Sequence, residues 1–465
     1  MVVENFELGL DLRKSPVTAS AKSLRILRNG YVNAGGEIEK RKAFLDAGID
    51  LTGTYGLGGL GLSPYVFGST LAPPTLSGIG YQQLVGASIA RIADVDVFDN
   101  GFYVVVQQPD GNYAHYYQGA HVTEAPNAGQ VLAHRSKLYA IRDNIVYFSD
   151  VGDPTHWTPG SGAPGAGFIQ LDNQDSGSVS LVGLATYYDQ LALFSRTSCQ
   201  LWAMDEDPAQ NQLIQTVDST GLVAYKALAR YSTGDVLFLH DSGVRSLKAR
   251  DSSNAASVSD VGSPIDEILR KVVSDARRAD AGSLVPAGLI NMTAIVEPNT
   301  GQWWLISGNT IYVLSVAPSS GISAWSQFDT GGFVVDGGAQ VINDAIWMRA
   351  GNRLYLHGTG IWESYDAAQI EVVLPLVAGN EPATDKTFFA MDAALEGTWQ
   401  FFVGTDVQNP DTRELVATVS GATFNMQSLG LANSGTHISV RALCADASRA
   451  RLASLIFHYH KGSED

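Results

Sequence analysis

Trp303-Trp-Leu-Ile-Ser-Gly-Asn-Thr-Ile-Tyr-Val-Leu314 consists of two aromatic and β-branched runs joined by Ser-Gly-Asn. Such residues suit a pleated surface, and Gly-Asn supplies the positive φ of a tight turn, so the stretch reads as a β-hairpin. The same design recurs in Phe102-Tyr-Val-Val-Val-Gln-Gln-Pro-Asp-Gly-Asn-Tyr-Ala-His-Tyr-Tyr117 and Lys137-Leu-Tyr-Ala-Ile-Arg-Asp-Asn-Ile-Val-Tyr-Phe148. It returns in Leu191-Ala-Leu-Phe-Ser-Arg-Thr-Ser-Cys-Gln-Leu-Trp202, Val236-Leu-Phe-Leu-His-Asp-Ser-Gly-Val-Arg-Ser-Leu247 and Ile346-Trp-Met-Arg-Ala-Gly-Asn-Arg-Leu-Tyr-Leu356. The copies start near residues 102, 137, 191, 236, 303 and 346, with gaps of 35 to 67 residues. A four-stranded blade needs about 40–50 residues, and a radial array of blades leaves few exposed edges. Six hairpins therefore predict an all-β fold, a β-propeller of about six blades. Pro64-Tyr-Val-Phe-Gly-Ser69 is a weaker seventh candidate, or one strand closing the ring. The competing arrangement is a stack of ordinary hairpins in two sandwiches.

Outside this repeat the pattern changes. Ile265, Ile268, Leu269, Val272 and Val273 share one helical face, so a helical insertion is expected near 263–280. Ser263 is placed to cap it, Pro264 to start it, and Asp266 and Glu267 to face its dipole. The expected packing is against the outside of its own domain. Residues 1–45 hold eight basic and five acidic side chains, +3 against −20 for the remainder, and read as an extended N-terminal arm with a short helix around Ala21–Leu27. The propeller is assigned to 46–366. Beyond it, Ile370–Leu376, Thr398–Val403, His437–Ala442 and Leu452–His460 read as strands of an antiparallel β-sandwich-like domain over 367–465.

Composition narrows the function. The 465 residues predict two or three domains, and 45% apolar residues suffice for full cores. A net charge of −17 argues against a chain that wraps nucleic acid or lies on an anionic membrane. Cys199 and Cys444 form neither a disulfide framework nor a metal cluster. Met1-Val-Val-Glu-Asn-Phe-Glu lacks the basic and apolar regions of a secretory signal, and no stretch approaches the ~18 apolar residues of a membrane span. The expectation is a soluble protein made in a cytoplasm.

Chemistry is sparse. Gly56-Leu-Gly-Gly-Leu-Gly61 fits GxGxxG, but Ser63-Pro64 and a strand-like run follow it instead of a helix, so it reads as a glycine-rich turn. Ser149-Asp-Val-Gly-Asp-Pro-Thr-His-Trp157 resembles a sialidase Asp-box with the wrong spacing. Its modest reading is a blade-closing turn in which Asp150 and Asp153 bond backbone amides and Trp157 buries its ring. His458-Tyr-His460 puts two imidazoles on one strand face, with no carboxylate or cysteine near in sequence, and solvated histidines are the simpler reading. Without HExxH, CxxC, P-loop or GxSxG, no enzyme, cofactor or metal is expected.

The order of several motifs carries a resemblance. Phe6-Glu-Leu-Gly-Leu-Asp-Leu12, Leu24, Asn29, Val32, Gly35-Gly36 and Ile38-Glu-Lys-Arg41 resemble the opening of tail tubular or nozzle proteins of short-tailed bacteriophages. So do His134–Tyr139, Val146–Asp150, Gly152-Asp-Pro154 and Trp157. Gly183–Phe194, Leu201-Trp202, Gly221-Leu222 and Val236–Leu239 are similar to the packaged-DNA stabilisation (tail hub) proteins of P22-like phages, and Pro264–Ile268, Ala294–Val296, Ile311–Leu314 and Trp325 continue in the same order. The resemblance implies a structural virion protein of the tail. It would form a homo-hexameric ring below the portal and adaptor, extending the channel for DNA ejection. Its other partners would be tail fibres, spikes or a needle, with viral DNA passing without sequence-specific binding and no membrane insertion. An acidic duct would let DNA slide, since DNA carries one negative charge per ~1.7 Å of axis. The arm's Arg13, Lys14, Lys22, Arg25, Arg28, Lys40 and Arg41 are the candidate adaptor-docking residues. The runner-up is a carbohydrate-binding or sialidase-like propeller acting on host glycans.

Overall fold

In the first run of each of the six hairpins neighbouring side chains are apolar rather than alternating with polar ones, and the tertiary structure explains why. Phe102, Val104 and Val106 enter one apolar cluster, while Tyr103 and Val105 enter the next. Leu138 and Ala140 share the cluster of Tyr103, whereas Tyr139 and Ile141 pack with Leu191 and Leu193. Trp303 and Leu305 likewise separate from Trp304 and Ile306. Successive side chains of a strand point to opposite faces, so a sheet covered on both faces needs apolar residues at every position. These strands are the middle strands of blades.

The chain is described from a computed structural model that covers every residue except 4, 72–75, 77, 161–164, 172–179, 232–233, 250–260, 282–287, 380, 422–425 and 463–465. Six separate small sheets stand in a ring, the arrangement of a β-propeller. Blade 1 is Tyr55–Leu60, Ser63–Gly68 and Gly80–Gln83; blade 2 runs from Arg91–Phe98 to Ala120–His121. Blade 3 runs from Gln130–His134 to Gly167–Gln170, and blade 4 from Leu181–Tyr187 to Gln212–Asp218. Blade 5 is Leu228–Tyr231, Asp235–His240 and Gly243–Ser246. Blade 6, Thr293–Val296 through Ile322–Asp329, is continuous with the C-terminal sheet and so is not a separate one. Blade 7 is Ala339–Ile342, Ala345–Ala350 and Arg353–His357, completed by Phe44–Asp46. The first strand of each blade touches the first strand of the next, and Ala339–Ile342 returns to Tyr55–Leu60, so the ring holds seven units. The six quoted hairpins lie in blades 2 to 7, and Pro64–Ser69 falls on the middle strand of blade 1.

The N-terminal segment departs from expectation. Instead of an extended arm, it is woven through the molecule in short strands. Val2–Val3 pairs with Leu455 and Ile456, Gly9–Leu10 lies between Ser23–Leu24 and Trp325, and Ile38–Lys40 pairs with Arg451 and Leu452. The helix expected around Ala21–Leu27 is absent, because Ile26–Arg28 extends to pair with Ile370–Val373 on one side and Gln327 of blade 6 on the other. Tertiary pairing overrides local propensity there. Phe6, Leu10, Leu24, Leu27, Val32 and Ile38 are all buried. Strands of two or three residues are too short to show a period in the sequence.

The C-terminal region is organised by one 19-residue strand, Lys386–Gly404. Its first half pairs with Met426–Gly435 and Arg451–Lys461, its second with Glu414–Gly421 and Ser439–Cys444. Trp399, Phe401, Leu395 and Phe388 fill the core it shares with the N-terminal strands and blade 6. The helix is Asp266–Asp280, preceded by a 3₁₀ turn at Ser263–Ile265, and Ser263 makes no capping bond. Ile265, Leu269 and Val273 are buried in one cluster with Leu239 and Val244 of blade 5, and Arg245 grips Asp266 with two bonds of 2.9 Å.

If the N-terminal strands are integral to the fold, Leu24→Ala and Leu27→Ala should each lower stability by about 2–5 kcal/mol in denaturant melts. A cost under about 0.5 kcal/mol for both would mean that this segment is peripheral.

Candidate functional site

The first strands of the blades enclose a polar channel with a cavity of about 380 Å³. Arg91-Ile-Ala-Asp-Val-Asp-Val-Phe98 places two carboxylates at the period of a strand, on one face. Asp94 Oδ2 accepts the Val131 amide at 3.1 Å and Asp96 Oδ2 the Ala133 amide at 2.6 Å. The other oxygens accept the amides of Val95 (3.0 Å) and Val97 (2.7 Å). Carboxylates thus take the place of a backbone ladder between blades 2 and 3. Burial pushes both pKa values up against these amides, that of Asp96 to about 6.

Across the channel, the segment leading into blade 5 supplies Tyr225 and Lys226. The Tyr225 hydroxyl donates to the Ala93 carbonyl of blade 2, so this side chain bridges two blades that are not neighbours. Lys226 Nζ lies 4.0 Å from Asp94 Oδ1 and 5.1 Å from the Tyr225 ring centre. Burial opposes the Lys226 charge, but Tyr225 and Asp94 outweigh it and its pKa is raised. At the ring's closure, Arg349 of blade 7 donates to the Gly56 carbonyl (2.9 Å) and to the Thr54 hydroxyl (3.1 Å) and carbonyl (2.6 Å). The GxGxxG run forms the first strand of blade 1. A Cβ on Gly59 would stand 2.7 Å from Ile342 of blade 7, and one on Gly58 2.9 Å from Phe102 of blade 2. Those glycines serve close packing rather than a phosphate.

The residues singled out in the sequence are dispersed. Arg13 pairs with Asp11 at 2.6 Å and Lys22 with Glu7 at 2.7 Å, both on the surface, and Lys14 is exposed. Arg25 donates to the Lys14 carbonyl at 2.8 Å, and Arg28 lies 3.5 Å from Glu371. Lys40 and Arg41 cannot dock a partner, because both are buried. Lys40 Nζ donates to the Asp446 carbonyl, and Arg41 reaches Asp366 (2.9 Å), Asn29 (3.1 Å) and the Asp329 carbonyl (3.1 Å). In the Ser149–Trp157 turn, Asp150 Oδ1 accepts the amides of Val151 (2.8 Å) and Gly165 (2.9 Å), and Asp153 Oδ1 that of Thr155 (2.8 Å). Trp157 is buried between blades 2 and 3, its indole N–H donating to the Pro154 carbonyl at 2.9 Å. His458 Nε2 donates to Asp392 Oδ2 at 2.7 Å and His460 stacks on Phe389 at 4.6 Å; among the described residues no group of His, Cys, Asp and Glu has metal-site geometry. Asp94, Asp96, Tyr225 and Lys226 escaped the sequence reading. The Asp-x-Asp alternation marks the first two, and nothing local marks Tyr225 or Lys226.

The fold and channel define a β-propeller protein with a C-terminal sheet region. No family model matches the sequence, and no curated protein matches it. Among solved structures, the chain is similar to the extracellular domain of a putative hybrid two-component system from B. thetaiotaomicron, with a TM-score of 0.41 and 11% identity. The likeness covers 86% of this chain and 59% of that one, so the chain spans less than two thirds of that protein's length.

Two measurements test this geometry. The folded pKa of Asp96, about 6, lies above the ordinary carboxylate value. The folded state therefore binds its proton more tightly than the unfolded chain, and stability falls as pH rises from about 4 to about 6. Asp96→Asn keeps an acceptor for Ala133 and should remove about 1–2 kcal/mol of that fall, read from denaturant melts at both pH values. Trp157→Ala should cost about 3–5 kcal/mol, as buried aromatics do.

Proposed function

We propose that this chain is a structural protein of a bacteriophage tail, a hub or nozzle subunit. Six copies form a ring below the portal and adaptor, extend the DNA channel, and help retain and then eject the genome. It is made in the bacterial cytoplasm, resides in the virion and performs no catalysis. What supports the reading is the shared order of motifs from Phe6 to Trp325 with that family. One structural observation carries it further: Ile26–Arg28 joins blade 6 to Ile370–Val373, so propeller and C-terminal region share a continuous sheet. A subunit without a free linker between its parts suits a ring that must hold pressurised DNA.

On this reading DNA passes between the six subunits, along the axis of the ring. Tyr225 reaches across the channel of each propeller to Ala93, and the cavity there is about 380 Å³, far too small for a duplex. The net charge of −17 favours a duct that does not adhere to DNA. Among the described residues, no helix is long and apolar enough to cross a membrane.

A second reading, a carbohydrate-binding propeller, is favoured by the polar lining of the channel, where Asp94, Lys226, Gln130 and Gln340 meet. Electron microscopy of the purified chain at high concentration, alone and with a connector, separates the two. Six-fold rings with an open centre are expected. Single particles of about 50 kDa under both conditions, together with a saturable signal in a glycan screen, would overturn the tail reading in favour of the glycan one.

A further inference from the structure

The N-terminal strands, the Ile370–Val373 strand with the residues after it, and the 410–413 turn enclose a groove of about 440 Å³. Three arginines from distant parts of the sequence meet there: Arg25, Arg413 and Arg441. Arg413 is the most constrained, with 9% of its side chain exposed. Its Nε and Nη2 donate to the Ser439 hydroxyl at 3.2 and 3.0 Å, and that hydroxyl donates to the Leu374 carbonyl at 2.8 Å. Ser439 therefore fixes the plane of the guanidinium. Its Nη1 is left with Asp411 at 3.8 Å, beyond hydrogen-bond length, and that carboxylate is fully exposed. Arg441 spends its Nε on Glu371 at 2.8 Å, and Arg28 lies 3.5 Å from the other oxygen of that carboxylate. Arg25 is held from behind by the Lys14 carbonyl at 2.8 Å.

Three guanidinium groups thus face two carboxylates, a local excess of positive charge on a chain of −17. Burial lowers the Arg413 pKa, opposed by Asp411, and Arg441 lowers it further. A nearly buried cation with so distant a counter-ion is costly unless something else pairs with it. Planar guanidinium groups offer two parallel donors to a carboxylate, which makes such a group the natural complement. Between the arginines the groove is walled by partly exposed apolar residues, Pro16, Ile26 and Pro410. That volume admits a few side chains, and Glu371 and Asp411 would repel a continuous array of phosphates.

We propose that this groove binds an acidic peptide segment of a partner protein, its carboxylates on Arg413 and Arg441 and its apolar side chains on Ile26 and Pro410. The inference depends on the tail reading only for the identity of that partner; the groove's chemistry stands without it.

The test uses the full chain and a fluorescein-labelled hexapeptide of alternating Glu and Leu, followed by fluorescence anisotropy at low salt. A saturable rise is expected, weakened about tenfold by Arg441→Gln and tightened severalfold by Asp411→Asn, which removes the competing carboxylate. Arg413→Gln should abolish it. Because Arg413 is buried and that variant can fail to fold, the half-exposed Arg441 and exposed Asp411 carry the decision. Labelled hexathymidylate should bind at least about tenfold more weakly than the peptide. Absence of a saturable rise, affinities unchanged in both R441Q and D411N, or equal binding of hexathymidylate would each overturn the proposal. Ring formation by electron microscopy is read separately, so failure here leaves the tail reading to its own test.

Discussion

Everything in this fold depends on blades that are covered on both faces. A strand sends alternate side chains to opposite sides, and in the middle strands each side meets a neighbouring blade. Trp303 and Trp304 show the consequence at one bond: adjacent in sequence, both wholly buried, they belong to different cores. The ring therefore has no single hydrophobic centre. It has a series of seams between neighbouring blades, the one beside Trp303 widened by the helix, the N-terminal strands and the C-terminal sheet, and each fully buried large apolar side chain contributes about 1.5–3 kcal/mol to its seam. Removing one blade would expose two seams, which is why such a ring must close.

Closure depends on residues far apart in the chain. Phe44–Asp46 supplies the outer strand of blade 7, and Arg349 crosses from that blade to the backbone at Thr54 and Gly56. The segment before Phe44 then threads between blade 6 and the C-terminal sheet. One short strand, Ile26–Arg28, pairs with both. The start of the chain thus joins what would otherwise be two separate bodies, and the basic residues there are divided between surface pairs and buried bonds.

Charge is used inside this acidic protein with economy. Asp94 and Asp96 serve as acceptors for the amides of an adjacent blade. Buried ammonium groups do the converse for carbonyls. Lys137 donates to Gly165, Asp205 and Glu206, and Lys386 to Glu381, Thr384 and Thr436. Burial lowers the pKa of both lysines. Each gathers carbonyls from loops that lack a ladder of their own, as buried polar groups require. The arginines of the 440 Å³ groove differ in that their carboxylate partners are fewer than their donors.

Much of the architecture was legible in the residues. Doubly apolar hairpins with Gly-Asn or Asp-Ser-Gly turns mark two-faced strands, and their recurrence marks a propeller, because both signals are local and follow from strand geometry. The helix face of Ile265, Leu269 and Val273 was legible for the same reason. The paths of Ser23–Leu24, Ile26–Arg28 and Ile38–Lys40 were not, since two or three residues carry no period and their partners lie hundreds of positions away. For that reason Lys40 and Arg41 read as surface charges. Nor could the sequence bring Arg25 to Arg413 and Arg441, or Tyr225 to Ala93. Local pattern determines which faces of a strand are apolar; only the closed ring and its shared sheet decide which distant side chains meet.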